Sequence, residues 1–229
     1  MISFSLIKCS SFTVRNHLST MQELLAAKSA IFAARLKENP HEDLSIFLQS
    51  VPANPETIEL VARFYHGYEL QICSQNVVEL ICVAEYLEMT ENHSKDNLLN
   101  KAVTYFHQRI LPSWSEAIRA LRSTEQLFQQ SLKLGLVDDC LESIITMAKA
   151  SPQLLGEPIK KSTASVDDSG EDYEVYKPNA RRRLFDFDWK SEDLTTLSLQ
   201  LYEPLMHGMN KHGVSSRYVA ASLCNYTKK

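Results

Sequence analysis

The residues of this chain that could act as nucleophiles or metal ligands are chiefly its 5 Cys and 7 His. Cys9, Cys73, Cys82, Cys140 and Cys224 stand far apart, and neither they nor the histidines fit the spacing of a zinc template. Their number is odd and no C-x-x-C occurs, so they read as reduced thiols of a cytosolic or nuclear protein. Cys140 is the candidate nucleophile, yet it lies on an apolar stripe with Val137 and Ile144, where burial makes a thiol inert. His66 stands at a helix end before Gly67 and reads as a polar terminal residue, not a base. Trp114 reads as a packing anchor at a helix start. No glycine-rich phosphate loop and no G-x-S-x-G elbow is present. The carboxylates fall mostly on helix faces or in one acidic stretch, where they are solvated. The sequence assigns no catalytic, cofactor-binding or metal-binding residue, which favours a binding protein over an enzyme.

The elements that hold these residues are mostly helices. Residues 2–14 are an exception: Phe4 and Leu6, then Phe12 and Val14, alternate with polar residues and predict two short strands about Lys8-Cys9-Ser10. From Thr20, a candidate N-cap, Leu24, Ala27 and Ile31 fall on one helical face. Leu44, Ile46 and Leu48 alternate as a strand would. Asn54-Pro55-Glu56 then signals a helix start: a cap, a proline fitting the first turn, and an acid at the positive end. Its stripe is Ile58, Val61, Ala62 and Tyr65, and Gly67 is a natural stop. Tyr68 to Cys73 alternates again. Ser74 is expected to cap a helix carrying Val77, Leu80, Ile81, Ala84 and Leu87. Leu98, Ala102, Val103, Phe106 and Ile110 mark the next, broken by Pro112.

Ser113-Trp114-Ser115-Glu116 and Ser123-Thr124-Glu125-Gln126 both match a capping box. They predict short helices through Ile118 and Leu121, and through Leu127, Phe128 and Leu132, the second closed by Gly135. Val137, Cys140, Leu141, Ile144, Ile145 and Ala148 form the cleanest stripe. Residues 166–176 hold five acids and no base, as a disordered linker does. Leu194, Leu197 and Leu201, with Ser191 as cap, and then Val219, Ala220 and Leu223 give two last helices.

Mixed elements followed by helices alone predict a small α/β unit with an all-α extension, mainly α overall. The expected divisions are 1–110 for the first unit, 111–156 for a helical extension, 157–182 for the linker and 183–229 for a final helical part. The longest uncharged stretch, Leu44 to Pro55, is too short to cross a bilayer. The first residues lack the basic region of a secretory leader. A net charge of −4, with Arg181-Arg182-Arg183 the only compact basic run, argues against a nucleic-acid partner.

Several stretches resemble a known family. Leu24-Leu25-Ala26-Ala27-Lys28-Ser29-Ala30-Ile31-Phe32, and Ile58 to Gly67 ending Arg63-Phe64-Tyr65-His66-Gly67, resemble helices of a BTB/POZ domain. Asn76-Val77-Val78-Glu79-Leu80 followed by Ala84-Glu85-Tyr86-Leu87-Glu88-Met89-Thr90-Glu91 resembles the plant BTB/POZ family named for non-phototropic hypocotyl and root phototropism. Asn97-Leu98-Leu99, Leu111-Pro112-Ser113-Trp114, Leu134-Gly135-Leu136-Val137 through Cys140, Asp188-Trp189 with Glu192-Asp193-Leu194, and Tyr218 to Leu223 match it in order. The chain departs from the family in an abbreviated N-terminal sheet, in Lys190-Ser191 and in Glu157. The family's helical domain also continues beyond Lys229, so a short or truncated member is expected.

The resemblance implies a BTB/POZ-like N-terminal unit and a substrate-specific adaptor of a cullin-three ubiquitin ligase in plant phototropic or auxin-type signalling. The alternative is a non-ligase scaffold that assembles signalling partners. The implied partners are cullin-three, a substrate or signalling protein of unknown identity, and a second copy of the chain. The implied location is the cytoplasm or the periphery of the plasma membrane. Leu24, Leu25, Ile31 and Phe32 carry more apolar surface than a short helix needs, and the corresponding BTB helix packs across a two-fold axis, so they are the expected dimer face. Leu36, Glu38, Tyr68 and Glu69 are the expected cullin docking residues, after the groove that BTB domains present.

Overall fold

A computed structural model describes residues 22–40, 51, 53–156 and 194–228 of the chain. The expected hairpin at 2–14, the Thr20 cap, the strand at Leu44 to Leu48, the linker at 157–182 and the Ser191 cap lie outside those residues. The chain divides into two compact units, one ending at Cys140 and the other starting at Leu141.

The first described elements of the first unit are α1 (residues 22–28) and α2 (Ala30–Glu38), separated by one residue, Ser29. Ser29 is extended, and its hydroxyl accepts from the Phe32 N–H as the N-cap of α2. The interruption also changes which face is buried. Leu25, Ser29 and Phe32 point inward, whereas Leu24 and Ile31 are half-buried and Ala27 is exposed. The expected stripe of Leu24, Ala27 and Ile31 is thus rotated by about one residue.

Helix α3 (Pro55–Tyr65) starts as its sequence indicates: Asn54 accepts from the Thr57 N–H at 2.7 Å and Pro55 occupies the first turn. Gly67, at φ +79°, takes the left-handed conformation that ends it. The alternating segment Tyr68 to Cys73 is not a strand. Its backbone bonds to the side chain of Asn76 instead: the Cys73 N–H donates to Oδ1 at 2.8 Å and the Asn76 amide donates to the Gln71 carbonyl at 3.0 Å. One amide thus does for two peptide groups what a neighbouring strand would do. No strand occurs among the described residues, so the α/β part of the expected fold class is not seen there and the described chain is mainly helical.

Helix α4 (Val77–Tyr86) begins three residues after Ser74, the expected cap. It is the hub of the first unit. Val77, Val78, Leu80, Ile81, Cys82, Val83 and Ala84 are all buried, so apolar residues surround it rather than form one stripe. It packs on α3, on α5 (Leu98–Tyr105) and on α6 (Trp114–Ser123). The helices expected as a separate extension at 111–156 therefore begin inside the first unit. Between α5 and α6 the chain widens into one π turn, Phe106–Ile110, closed by the Leu111 N–H on the Phe106 carbonyl at 3.0 Å.

Neither capping box forms. Ser113 precedes α6 but makes no side-chain cap bond, and Glu116 pairs with Arg119 at 2.8 Å. Ser123 and Thr124 donate backward to the Ala120 and Leu121 carbonyls at 2.7 and 2.6 Å. The chain then runs through a 3₁₀ turn, Thr124–Leu127, into α7 (Phe128–Lys133). Backward donation ties these hydroxyls to the helix they end, so they do not open the next one. In α7, Ser131 is buried and Leu132 is 42% exposed, the reverse of the expected stripe.

Helix α8 (Leu136–Ala150) buries Val137, Cys140, Ile144, Ile145 and Ala148, as its periodicity indicates. In the second unit a 3₁₀ turn, Pro152–Leu155, precedes the break in description, and α9 (Leu199–Lys211) and α10 (Ser216–Tyr226) follow it. Gly208 lets α9 approach closely, since a Cβ there would overlap Ile145 Cδ1. Tyr202 stacks on Tyr226 at 3.8 Å and shares a hydrogen bond with Ser222 at 3.0 Å. Leu194, Leu197 and Leu201 are buried as expected, but α10 buries Val219, Ala221 and Ser222 while Ala220 and Leu223 face out.

Candidate functional site

The four expected docking residues lie at two exits from the first unit. Leu36 and Glu38 occupy the last turn of α2, with Leu36 half-buried and Glu38 exposed. Tyr68 and Glu69 follow Gly67, where the Tyr68 N–H still donates to Arg63 at 3.0 Å. Tyr68 is 66% exposed, the most exposed large apolar side chain among the described residues. No side-chain hydrogen bond or ion pair among the described residues joins one pair to the other.

What lies beneath them is a buried aromatic contact. Phe32 of α2 meets Tyr65 of α3 edge-on, with centroids 6.4 Å apart. The Tyr65 hydroxyl points to Met89 Sδ at 3.6 Å. Burial pushes that phenol well above its usual range, so it remains a neutral donor. Leu25 and Phe32, two of the four expected dimer-face residues, belong to this core, with Phe32 completely covered. They cannot present a surface to a second copy. Leu24 and Ile31 remain partly accessible. The excess apolar surface of this segment is used within the chain, because the break at Ser29 turns α2 onto Tyr65.

Two polar arrangements hold these helices, and the sequence analysis singled out neither. The first is a clasp between α1 and the loop after α4. The Ser29 hydroxyl donates to the Leu87 carbonyl. Asn97, fully buried, donates to the Lys28 and Thr90 carbonyls at 2.8 and 3.0 Å. His93 Nε2 lies 2.7 Å from the Ala26 carbonyl and so carries the proton there. The second is a carboxylate inside the unit. Glu79, 8% exposed, accepts from the backbone and side-chain amides of Asn54 and from the Thr57 hydroxyl, the last at 2.7 Å. It thereby fixes the N-terminus of α3 on α4. Each partner is more than twenty residues away, and no local spacing signals it.

Cys140 is fully buried, and burial followed by the charge of Asp139 pushes its thiol up to about 12. Burial raises Cys82 as well. His66 is an exposed helix-end residue. Among the described residues no three His, Cys, Asp or Glu side chains gather as a metal site requires, and no helix is long and apolar enough to cross a membrane.

The homologues of this chain are plant BTB/POZ domain-containing proteins. It is 43% identical over 209 residues to BTB/POZ domain-containing protein At5g17580 of Arabidopsis thaliana, covering 91% of this chain and 37% of that protein. It is 33% identical over 210 residues to BTB/POZ domain-containing protein At3g03510 of the same plant, covering 91% of this chain and 34% of the relative. With BTB/POZ domain-containing protein At1g30440, also from Arabidopsis thaliana, the identity is 32% over 90% of this chain and 32% of the relative. The chain thus spans about a third of the length of these curated relatives. No protein-family profile matches it, and no solved structure does.

Proposed function

We propose that this chain is a substrate-specific adaptor of a cullin-three ubiquitin ligase, of the plant phototropic-response kind, acting by binding and not by catalysis. The observation that carries the reading is the likeness to BTB/POZ proteins along 91% of the chain, since BTB/POZ domain proteins are generally interaction adaptors, often for cullin-three ligases. The geometry supports it with half-buried Leu36 and exposed Glu38 on the last turn of α2, and with exposed Tyr68 and Glu69 in the segment that follows α3. An apolar side chain beside a carboxylate can fill a pocket and fix its orientation. Under this reading the protein works in the cytoplasm or at the inner surface of the plasma membrane, as a homodimer. Leu24 and Ile31 are the residues of the expected dimer face still available to it.

The test is capture of purified cullin-three by the purified chain, with the mass of the complex read by light scattering. A stoichiometric complex is expected. A folded chain that retains signalling partners from plant extract but leaves cullin-three unbound would replace the ligase reading with that of a scaffold.

A further inference from the structure

Ser94 lies in the loop between α4 and α5, flanked by exposed Asn92, Lys95 and Asp96. Its hydroxyl accepts a hydrogen bond from Lys28 Nζ at 3.2 Å. The same ammonium stands 5.6 Å from the centroid of the Phe64 ring. Lys101 Nζ, from α5, stands 5.6 Å from that centroid too. The two cations are therefore within twice that distance of one another. Neither has a carboxylate partner among the described residues, and the nearby Glu91 spends its oxygens on the N–H groups of Asp96 and Asn97. Two ammonium groups share one aromatic ring, which attracts each only weakly. The neutral Ser94 oxygen sits beside one of them.

We propose that Ser94 is a phosphorylation site, with Lys28, already hydrogen-bonded to its hydroxyl, seating the phosphate and Lys101, the second cation at the Phe64 ring, adding its charge. In the modification the Ser94 oxygen forms a bond to the γ-phosphorus of a nucleoside triphosphate bound to a protein kinase. The bond to the bridging oxygen breaks, the nucleoside diphosphate leaves, and the hydroxyl proton passes to the kinase's base. The product carries close to two negative charges and three acceptor oxygens where a single weak acceptor stood. Charge-assisted bonds to the lysines replace a neutral one. Lys28 precedes Ser29, the residue that separates α1 from α2, so the phosphate tightens the clasp that holds both helices. This inference is independent of the adaptor reading.

The experiment uses the full chain with phosphoserine installed at position 94 by codon suppression. Its melting temperature is compared with that of the unmodified chain, in the native sequence and with Lys28→Gln and Lys101→Gln combined. Phosphate is expected to raise the melting temperature by about 3 °C in the native sequence, as one added charged bond does in a domain of this size, and by less than about 1 °C in the lysine variant. A fall, or the same change in both backgrounds, overturns the proposal. Should the lysine variant not fold, phosphorus NMR on the native sequence decides. A seated phosphate has its second ionisation below the usual value of about 6, and one at or above that value overturns the proposal.

Discussion

Replacing Glu79 by alanine tests whether the buried carboxylate holds α3 on α4. Its oxygens accept from the backbone N–H and side-chain amide of Asn54 and from the Thr57 hydroxyl. Asn54 is half-exposed, so water can take over its two donors. Thr57 is 1% exposed, so its hydroxyl stays dry and unpaired. An orphaned buried donor costs about 1–3 kcal/mol, and a lost bond to a charged group about 1.5–3 kcal/mol. Since the alanine variant also escapes the cost of burying a charge, the net loss is set at about 3 kcal/mol. That is a large part of the ~5–15 kcal/mol that folds a domain. Thr57→Val should lose about 1.5 kcal/mol by itself. In its background Glu79→Ala should cost about 1 kcal/mol less than in the native chain, because the orphaned hydroxyl is gone. Glu59→Ala is the control: its partner Arg63 is exposed, and breaking such a pair costs under about 0.5 kcal/mol. Urea denaturation with a common m-value supplies all four numbers. If Glu79→Ala resembles Glu59→Ala, or if the two core changes simply add, the carboxylate does not fasten the helix.

Three more outcomes follow from the geometry. Leu36→Ala combined with Glu38→Ala should weaken cullin-three binding by ~2 kcal/mol with an almost unchanged melting temperature; normal binding removes these residues from the interface, and unfolding makes Leu36 a core residue. Gly208→Ala should destabilise the second unit by about 1–3 kcal/mol through Ile145 Cδ1, and Ile145→Val, which lacks that atom, should recover part of the loss; no recovery would place the strain elsewhere. Cys140 should resist iodoacetamide at pH 8 while the exposed Cys73 and Cys224 react. The unfolded chain ionises the Cys140 thiol near its ordinary value and the folded chain only at about 12, so this thiol's contribution to stability is complete below pH ~8.5 and declines as pH rises further; early labelling of folded Cys140 would contradict its burial.

Much of this was legible wherever the signal was local. Asn54-Pro55 started α3, Gly67 ended it, Gly135 preceded α8, and Pro112 followed the last residues of the π turn, because caps, proline and positive φ act within a few residues. The all-round burial of α4 was only half visible, since periodicity marks a stripe and α4 has neighbours on several sides. Tyr68 to Cys73 misled because alternation specifies a strand only when a partner accepts the ladder, and here Asn76 takes two of its groups. The capping boxes misled because a serine can bond backward as easily as forward. Phe32 looked like an interface residue because no sequence window shows Tyr65 beside it. Of the candidate docking residues, Glu38, Tyr68 and Glu69 are exposed and Leu36 is half-buried. The clasp and Glu79 were invisible because their partners are remote in sequence.

The π turn at Phe106–Ile110 acts as a phase corrector. Four residues of α-helix advance about 400°, so each step of four drifts about 40° past a full turn. Four residues of a π turn, at about 4.4 per turn, fall short of one by about 30°. Ala102, Phe106 and Ile110 are spaced by four, first across α-helix and then across the π turn, and all three are buried. The overshoot of the first interval is nearly cancelled by the undershoot of the second, so Ala102 and Ile110 stand within about 10° of one another, with Phe106 about 40° to one side. Within that turn the chain holds one residue more than an α-helical turn would, without looping it out. Deleting any one of His107, Gln108 or Arg109 would return this turn to α-helical width and keep Trp114 in phase, whereas the same deletion within regular α-helix would rotate whatever follows by about 100°.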